Sequence, residues 1–284
     1  MSIDIKEIFR ILEGYKSQIE NKIEKDLLEN FGPSTVLKEA CAYSLLNGGK
    51  RFRPAIVLMV ANALGKNFDV LDAAIAVEYF HTASLIADDM PCMDNDDERR
   101  GRPSLHKAFN ETTALLASYA LISAGYRAIT QNSEKGDKNP ENLRLALDIT
   151  AYNTGILGAT GGQFLDIFPS DKTVETLLEI LNKKTVTLFE IAFCLGWIFG
   201  GGDLNKLDLV KRLAYHFGMA FQIADDLDDL KQDEKQEQSV NLAKVIGVKQ
   251  ATDVLAKEKS SLLQVAKELS LDSKDFLALV NTMG

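Results

Sequence analysis

Two short stretches of this chain concentrate carboxylates beyond what a solvated surface requires. The first is DDMPCMD at 88–94, running on into NDDERRGRP. Asp88 and Asp89 close an apolar segment, AAIAVEYFHTASLIADD, that Pro91 must end, because the residue before a proline disfavours α geometry. Carboxylates thus fall at a helix C-terminus, where the macrodipole favours cations, and a bound cation would relieve the mismatch. The second is FQIADDLDD at 221–229. On a helix, Gly218, Gln222, Asp225, Asp226 and Asp229 share one face. Asp225 and Asp229 are four apart and repel unless something cationic sits between them. Oxygen donors in such number suit Mg²⁺ rather than Zn²⁺. Arg99 stands where a calcium-binding loop starting at Asp94 would need glycine, so that reading fails. Taken alone, each stretch reads as readily as an exposed acidic loop or helix end. Taken together they say more. Mg²⁺ is normally held by one or two carboxylates plus substrate phosphates, so two such helix ends facing each other suit several ions gripping a diphosphate.

Cations suited to phosphate accompany them. GGKRFRP at 48–54 places Lys50, Arg51 and Arg53 after a Gly-Gly hinge that opens a helix. Arg99 and Arg100 follow the first acidic cluster, and Lys183, Lys184 and Thr185 lie inside a long, otherwise apolar stretch. Arginine offers a planar fork to phosphate oxygens and lysine a point charge. Lys184 is the hardest of these to assign to an ordinary surface.

The elements that must position these groups read as helices. Apolar residues recur at helical spacing, as in Ile5, Ile8, Phe9, Leu12 and Tyr15 or Leu207, Val210, Leu213, Ala214 and Phe217. None of the six prolines follows residue 169, and period-2 alternation is hard to find. The pattern predicts an all-α chain with helices over 3–30, 34–46, 53–64, 69–89, 105–131, 140–158, 172–200, 205–231, 240–246 and 250–268, and a short one at 273–281. Linkers are expected at 47–49, 95–103, 131–140, 168–171, 200–203 and 232–238. None is long enough to divide the chain, so one domain over 1–284 is expected.

Composition narrows the class. With 46% hydrophobic and 26% charged residues the chain is ordinary for a globular protein. A net charge of −9 argues against general nucleic-acid binding. Three scattered cysteines, with no CxxC, exclude a zinc or disulfide framework. The start MSIDIKEIF lacks a signal-peptide core, and the greasiest stretch, 188–199, is too short to span a bilayer and carries Glu190. A cytoplasmic protein without stable membrane insertion is the expectation.

In the order and spacing of these motifs, from about residue 44 to 230, the chain resembles the trans-prenyltransferases, the short-chain polyprenyl diphosphate synthases. The resemblance rests on GGKRFRP, His81, DDMPCMD with the following RRGRP, GGQFLD at 161–166, Lys184-Thr185 and FQIADDLDD. The stretch HTASLIADDMPCMDNDDERRGRPSLH is similar to geranylgeranyl diphosphate synthases in particular. The resemblance implies a single large antiparallel helical bundle of the isoprenoid synthase type around a central cavity. It also implies a homodimer and condensation of isopentenyl diphosphate with an allylic diphosphate. Asp88, Asp89, Asp94, Asp225, Asp226 and Asp229 then become Mg²⁺ ligands, for three ions per site with Mn²⁺ as a substitute. Arg99, Lys184, Thr185 and Gln222 would contact the allylic diphosphate, and Lys50, Arg53, His81 and Arg100 would hold isopentenyl diphosphate. Asp88, Asp89, Lys184 and Asp225 carry the catalysis in this reading. With two diphosphates, three Mg²⁺, six aspartates and five cations the site sums to about −1, against about −7 without metal, which no desolvated pocket tolerates.

Three departures from the family pattern stand out. The loop after the second cluster is short, with Ser239 where the family has lysines; Lys231, Lys235 or Lys244 would have to substitute. Leu181 also replaces a histidine common near the Lys-Thr pair, and Tyr119 stands where an acid is usual. Ala83 and Ser84, five and four residues before Asp88, are small, so the resemblance implies an open path for a long tail and a C20 product, geranylgeranyl diphosphate. Tyr79, Phe80 and Tyr119 could instead supply a floor, and farnesyl diphosphate is the alternative product. A weakly active or inactive partner subunit is a second alternative. A terpene cyclase on the same fold is a third, opposed by the intact matches at Lys50, Arg53 and His81.

Overall fold

The structure is a computed structural model that describes residues 4–136, 138–171, 173–232 and 241–283. Three helices are apolar on nearly every side and form its centre, as a helix without a polar face must. They are α3 (Phe52–Leu64), α4 (Leu71–Asp88) and α10 (Thr187–Phe199). All of Pro54–Ala61, most of α4 from Asp72 to Ile86, and all of Ile191–Phe199 are buried. Amphipathic helices surround them. α1 (Ile5–Asn30) lies against α4 and α14 (Lys274–Val280), and α6 (Glu111–Asn132) lies along α4. α7 (Pro140–Thr154) and α11 (Leu207–Gln232) flank α10, and α13 (Val248–Glu268) backs α11. One continuous apolar core runs from Tyr15 to Met283, and a smaller one joins Leu181, Val186, Met219, Ile223 and Leu242. Among the described residues no helix is long and apolar enough to cross a membrane.

Departures from the sequence expectation cluster near the acidic stretches. The helix expected over 105–131 is broken into α5 (Leu105–Ala108) and α6, because the Asn110 side chain accepts from the Thr113 amide and starts a new helix. The helix expected over 140–158 stops at Thr154, ahead of Gly155, and a separate α8 (Ala159–Ile167) follows. The expected loop at 95–103 contains a two-stranded hairpin, β1 (Glu98–Arg99) and β2 (Arg102–Pro103). Its two turn residues, Arg100 and Gly101, have φ of 56° and 73°, the left-handed pair a tight hairpin demands. The long helix expected over 172–200 is α9 (Val174–Leu181), a π-helical turn over Asn182–Val186, and α10.

Candidate active site

Lys184 and Thr185 occupy that π-turn, a wide turn frequent at functional sites. Helix α8 approaches it so closely that a Cβ on Gly162 would fall 2.5 Å from the Lys184 amide nitrogen. On the same helix, Asp166 accepts a hydrogen bond from Lys184 Nζ at 2.6 Å. Burial alone would lower the Lys184 pKa, but Asp166, Asp88 and Asp94 raise it. The ammonium therefore sits among carboxylates of the first cluster. Its neighbour Thr185 donates to Gln222 Oε1 at 3.0 Å, on the helix that carries the second cluster. Two adjacent side chains on one turn thus connect both acidic stretches.

Within each cluster the carboxylates differ. Asp88 is half-buried at the end of α4, and burial pushes its pKa up to about 7 against the pull of Lys184. Asp94, Asp225 and Asp229 are exposed. Asp89 and Asp226 are each 3% exposed, and burial raises both of their pKa values. Asp89 accepts from Arg99 Nε at 2.9 Å and from its Nη2, and Arg99 also reaches Asp96 at 3.2 Å. Asp226 accepts from Gln222 Nε2 at 2.9 Å and from the Leu242 amide at 2.8 Å.

The basic residues divide too. Lys50 is exposed, its ammonium 5.7 Å from the Phe52 ring centre. Arg53 stacks over Phe189 at 4.4 Å, and its Nη1 lies 3.5 Å from His81 Nε2. Burial lowers the Arg53 pKa to about 10 and holds His81 well below its ordinary value, so the imidazole is neutral. Arg100, at the hairpin tip, donates to the Gly48 carbonyl at 2.5 Å, and its guanidinium lies where a Cβ on Gly49 (φ 116°) would be. Arg53, His81 and Arg100 therefore share one neighbourhood, and Lys50 stands exposed next to the glycine hinge. Arg51 does not join them. With a left-handed φ of 53° it turns inward, 3% exposed, and pairs with Glu78. Lys183 pairs with Glu179 at 2.7 Å. His106 meets Ser104 at 3.1 Å and His216 meets Glu258 at 2.6 Å. Ala83 is buried, with its carbonyl accepting from Ser118 of α6 at 3.0 Å, and Ser84 is half-buried. Lys235 and Ser239, and the Lys231 side chain, lie outside the described residues.

Buried polar atoms left without partners mark a place prepared for a polar ligand. Among the described residues these include Arg53 Nε, His81 Nδ1 and both amide atoms of Gln163. Three residues here were not singled out for the site from sequence: Gln163, Asp166 and Phe189. The first two sat in view in GGQFLD. No three carboxylate, histidine or cysteine side chains among the described residues stand close enough to enclose an ion alone.

Residues 34–268 match the polyprenyl synthetase family. The chain belongs to that family. As a polyprenyl synthetase it is a prenyltransferase, and its relatives agree. It is 35% identical to a farnesyl diphosphate synthase of Bacillus subtilis, over 94% of this chain and 96% of that protein. It is 37% identical to the chloroplastic geranylgeranyl pyrophosphate synthase of Capsicum annuum, over 84% of this chain and 63% of that protein. Among solved structures, a geranyltransferase from Legionella pneumophila superposes with a TM-score of 0.85 at 28% identity, covering 97% of this chain and 96% of that one. A geranyltranstransferase from Thermotoga maritima gives 0.79 at 32% identity, over 95% and 98%. These solved neighbours share the isoprenoid synthase helical bundle, so the all-α expectation holds.

Proposed function

We propose that the chain condenses an allylic diphosphate head-to-tail with isopentenyl diphosphate and extends it to the C20 product. The carrying observation is the Lys184–Thr185 turn, whose ammonium lies at Asp166 under the influence of Asp88 and Asp94 while its hydroxyl reaches Gln222. Lys184 and Arg99 hold the allylic diphosphate, with Thr185 and Gln222 beside them, as its C1–O bond breaks and charge gathers on the leaving pyrophosphate. Lys50, Arg53, Arg100 and neutral His81 fix the isopentenyl diphosphate, whose double bond attacks the allylic C1. The proton then lost from the adjacent carbon goes to the departing pyrophosphate. Phe189 and Phe221, with ring centres 5.1 Å apart beneath Arg53, supply an apolar wall that keeps water from the cation. Asp88, Asp94, Asp225 and Asp229 are hard oxygen donors that fit Mg²⁺. When bound, such ions add positive charge opposite the diphosphate.

The C20 assignment rests on Ala83 and Ser84, where no aromatic blocks the way. The farnesyl product is the second reading, favoured by the Bacillus subtilis relative and by Phe80, a buried ring stacked edge-on to Tyr126 at 5.1 Å. A single domain, a homodimer and a cytoplasmic site of action complete the reading. Radiolabelled isopentenyl diphosphate, supplied with C5, C10 and C15 allylic primers and Mg²⁺, decides it. Label in a C20 diphosphate is expected. No labelled product from any primer would overturn the condensation, and a C15 endpoint would replace the C20 assignment.

A further inference from the structure

Asp226 is a carboxylate in an unexpected place. It is 3% exposed, inside the smaller apolar core formed by Leu181, Val186, Met219, Ile223 and Leu242. A buried carboxylate is costly unless its oxygens are satisfied, and both of these are. Oδ1 accepts from Gln222 Nε2 at 2.9 Å and Oδ2 from the Leu242 amide at 2.8 Å. The Asn241 side chain donates to the Asp226 carbonyl at 2.9 Å, and Asn241 Oδ1 caps α12 (Leu242–Ile246) through the Lys244 amide at 3.0 Å.

The polarity of this chain of bonds is fixed from one end. An ionised carboxylate accepts only, so Gln222 must turn its NH₂ towards Asp226. Its carbonyl oxygen is then committed to the Thr185 hydroxyl, 3.0 Å away on the π-turn beside Lys184. Without Asp226 the carboxamide could rotate by half a turn and offer Thr185 a donor instead of an acceptor. Asp226 is 3% exposed, with both oxygens already hydrogen-bonded within the protein, whereas Asp225 on the adjoining face is exposed.

We propose that Asp226 is a positioning residue: it acts through Gln222, which accepts the hydrogen bond of the Thr185 hydroxyl, to anchor the π-turn that aims Lys184 at the allylic diphosphate, and it ties that turn to α12. This rests on the prenyltransferase reading above and deepens it. A double-mutant cycle tests it, using Asp226→Asn, Gln222→Met and the pair, with allylic and isopentenyl KM measured separately. Calorimetric binding of Mg²⁺ with inorganic pyrophosphate is read alongside. Asp226→Asn should raise the allylic KM about tenfold, the worth of one charge-assisted hydrogen bond, and leave the isopentenyl KM unchanged. The double variant should be no worse than Gln222→Met, because a residue acting through another is not additive with it. The Mg²⁺ concentration for half-maximal pyrophosphate binding should stay within about twofold in Asp226→Asn but rise about tenfold or more in Asp225→Asn. Fully multiplicative effects, or a metal requirement raised as far by Asp226→Asn as by Asp225→Asn, would overturn the proposal. If Asp226→Asn does not fold, Thr185→Val with Gln222→Met replaces it, and full additivity of that pair equally refutes the relay. A flat response of Asp225→Asn counts against the metal reading instead, and the cycle still judges the relay.

Discussion

Asp89 and Asp226 hold the same place in their clusters, each the second of an Asp-Asp pair and each 3% exposed. Their partners are opposite in kind. Asp89 is neutralised by a cation, Arg99, ten residues away on the hairpin that follows. Asp226 is held by neutral dipoles, the Gln222 carboxamide and the Leu242 amide, the latter from a helix beyond residues 233–240. The first cluster therefore settles its buried charge within its own loop. The second satisfies its carboxylate with dipoles and uses it to orient a neighbour. One arrangement spends a strong interaction on local stability, and the other converts burial into direction.

The largest expected effects ask whether the two clusters share one task. Asp88→Ala and Asp225→Ala should each cut turnover by roughly three powers of ten or more, with helical circular dichroism unchanged. Near-normal rates in either variant, with EDTA without effect, would sink the metal-bridged site. A smaller effect separates the clusters by stability. Arg99→Leu leaves Asp89 buried and unpaired, at a cost of about 3 kcal/mol in metal-free urea unfolding. Gln222→Met, which leaves Asp226 the Leu242 amide, should cost about 1 kcal/mol. The reverse order would break the comparison. Lys50→Ala and Arg53→Leu lie outside both clusters and should raise the isopentenyl KM about tenfold while sparing the allylic one. Equal effects on the two substrates would show these cations to be misassigned. The smallest change in rate is expected for Ala83→Phe, which should shorten the product and keep condensation going. If the parent makes only a C15 diphosphate and the variant the same, the floor of the tail site lies elsewhere.

How much of this is legible in the sequence follows from what is local. The carboxylate clusters and the helical spacing are contiguous patterns, and they appear in the structure at the helix ends expected, whereas Lys184-Thr185 lies on a π-turn within the stretch read as one helix. The helix ends at Asn110 and Gly155 are less legible, because one capping side chain or one glycine decides them inside an otherwise helical composition. The hairpin at 98–103 hides because its turn puts Arg100, not asparagine or glycine, at a left-handed position. What sequence cannot supply is pairing across elements. Arg51 looks like its neighbours Lys50 and Arg53, and only Glu78, on α4, draws it inward. Asp166 lies within the GGQFLD motif, yet its pairing with Lys184 depends on α8 meeting the π-turn.

That π-turn has a consequence for how such chains can vary in length. It lodges one surplus residue in the stretch Asn182–Val186, while α9 before it and α10 after it keep ordinary helical winding. Losing a residue there would let the turn close into plain α-helix, with Phe189 and Phe193 still in phase with the core. Lys184 and Thr185 alone would be re-aimed. A deletion at this spot is expected to spare folding and to cost the proposed chemistry, so the five-residue length would be inherited with the site rather than with the fold.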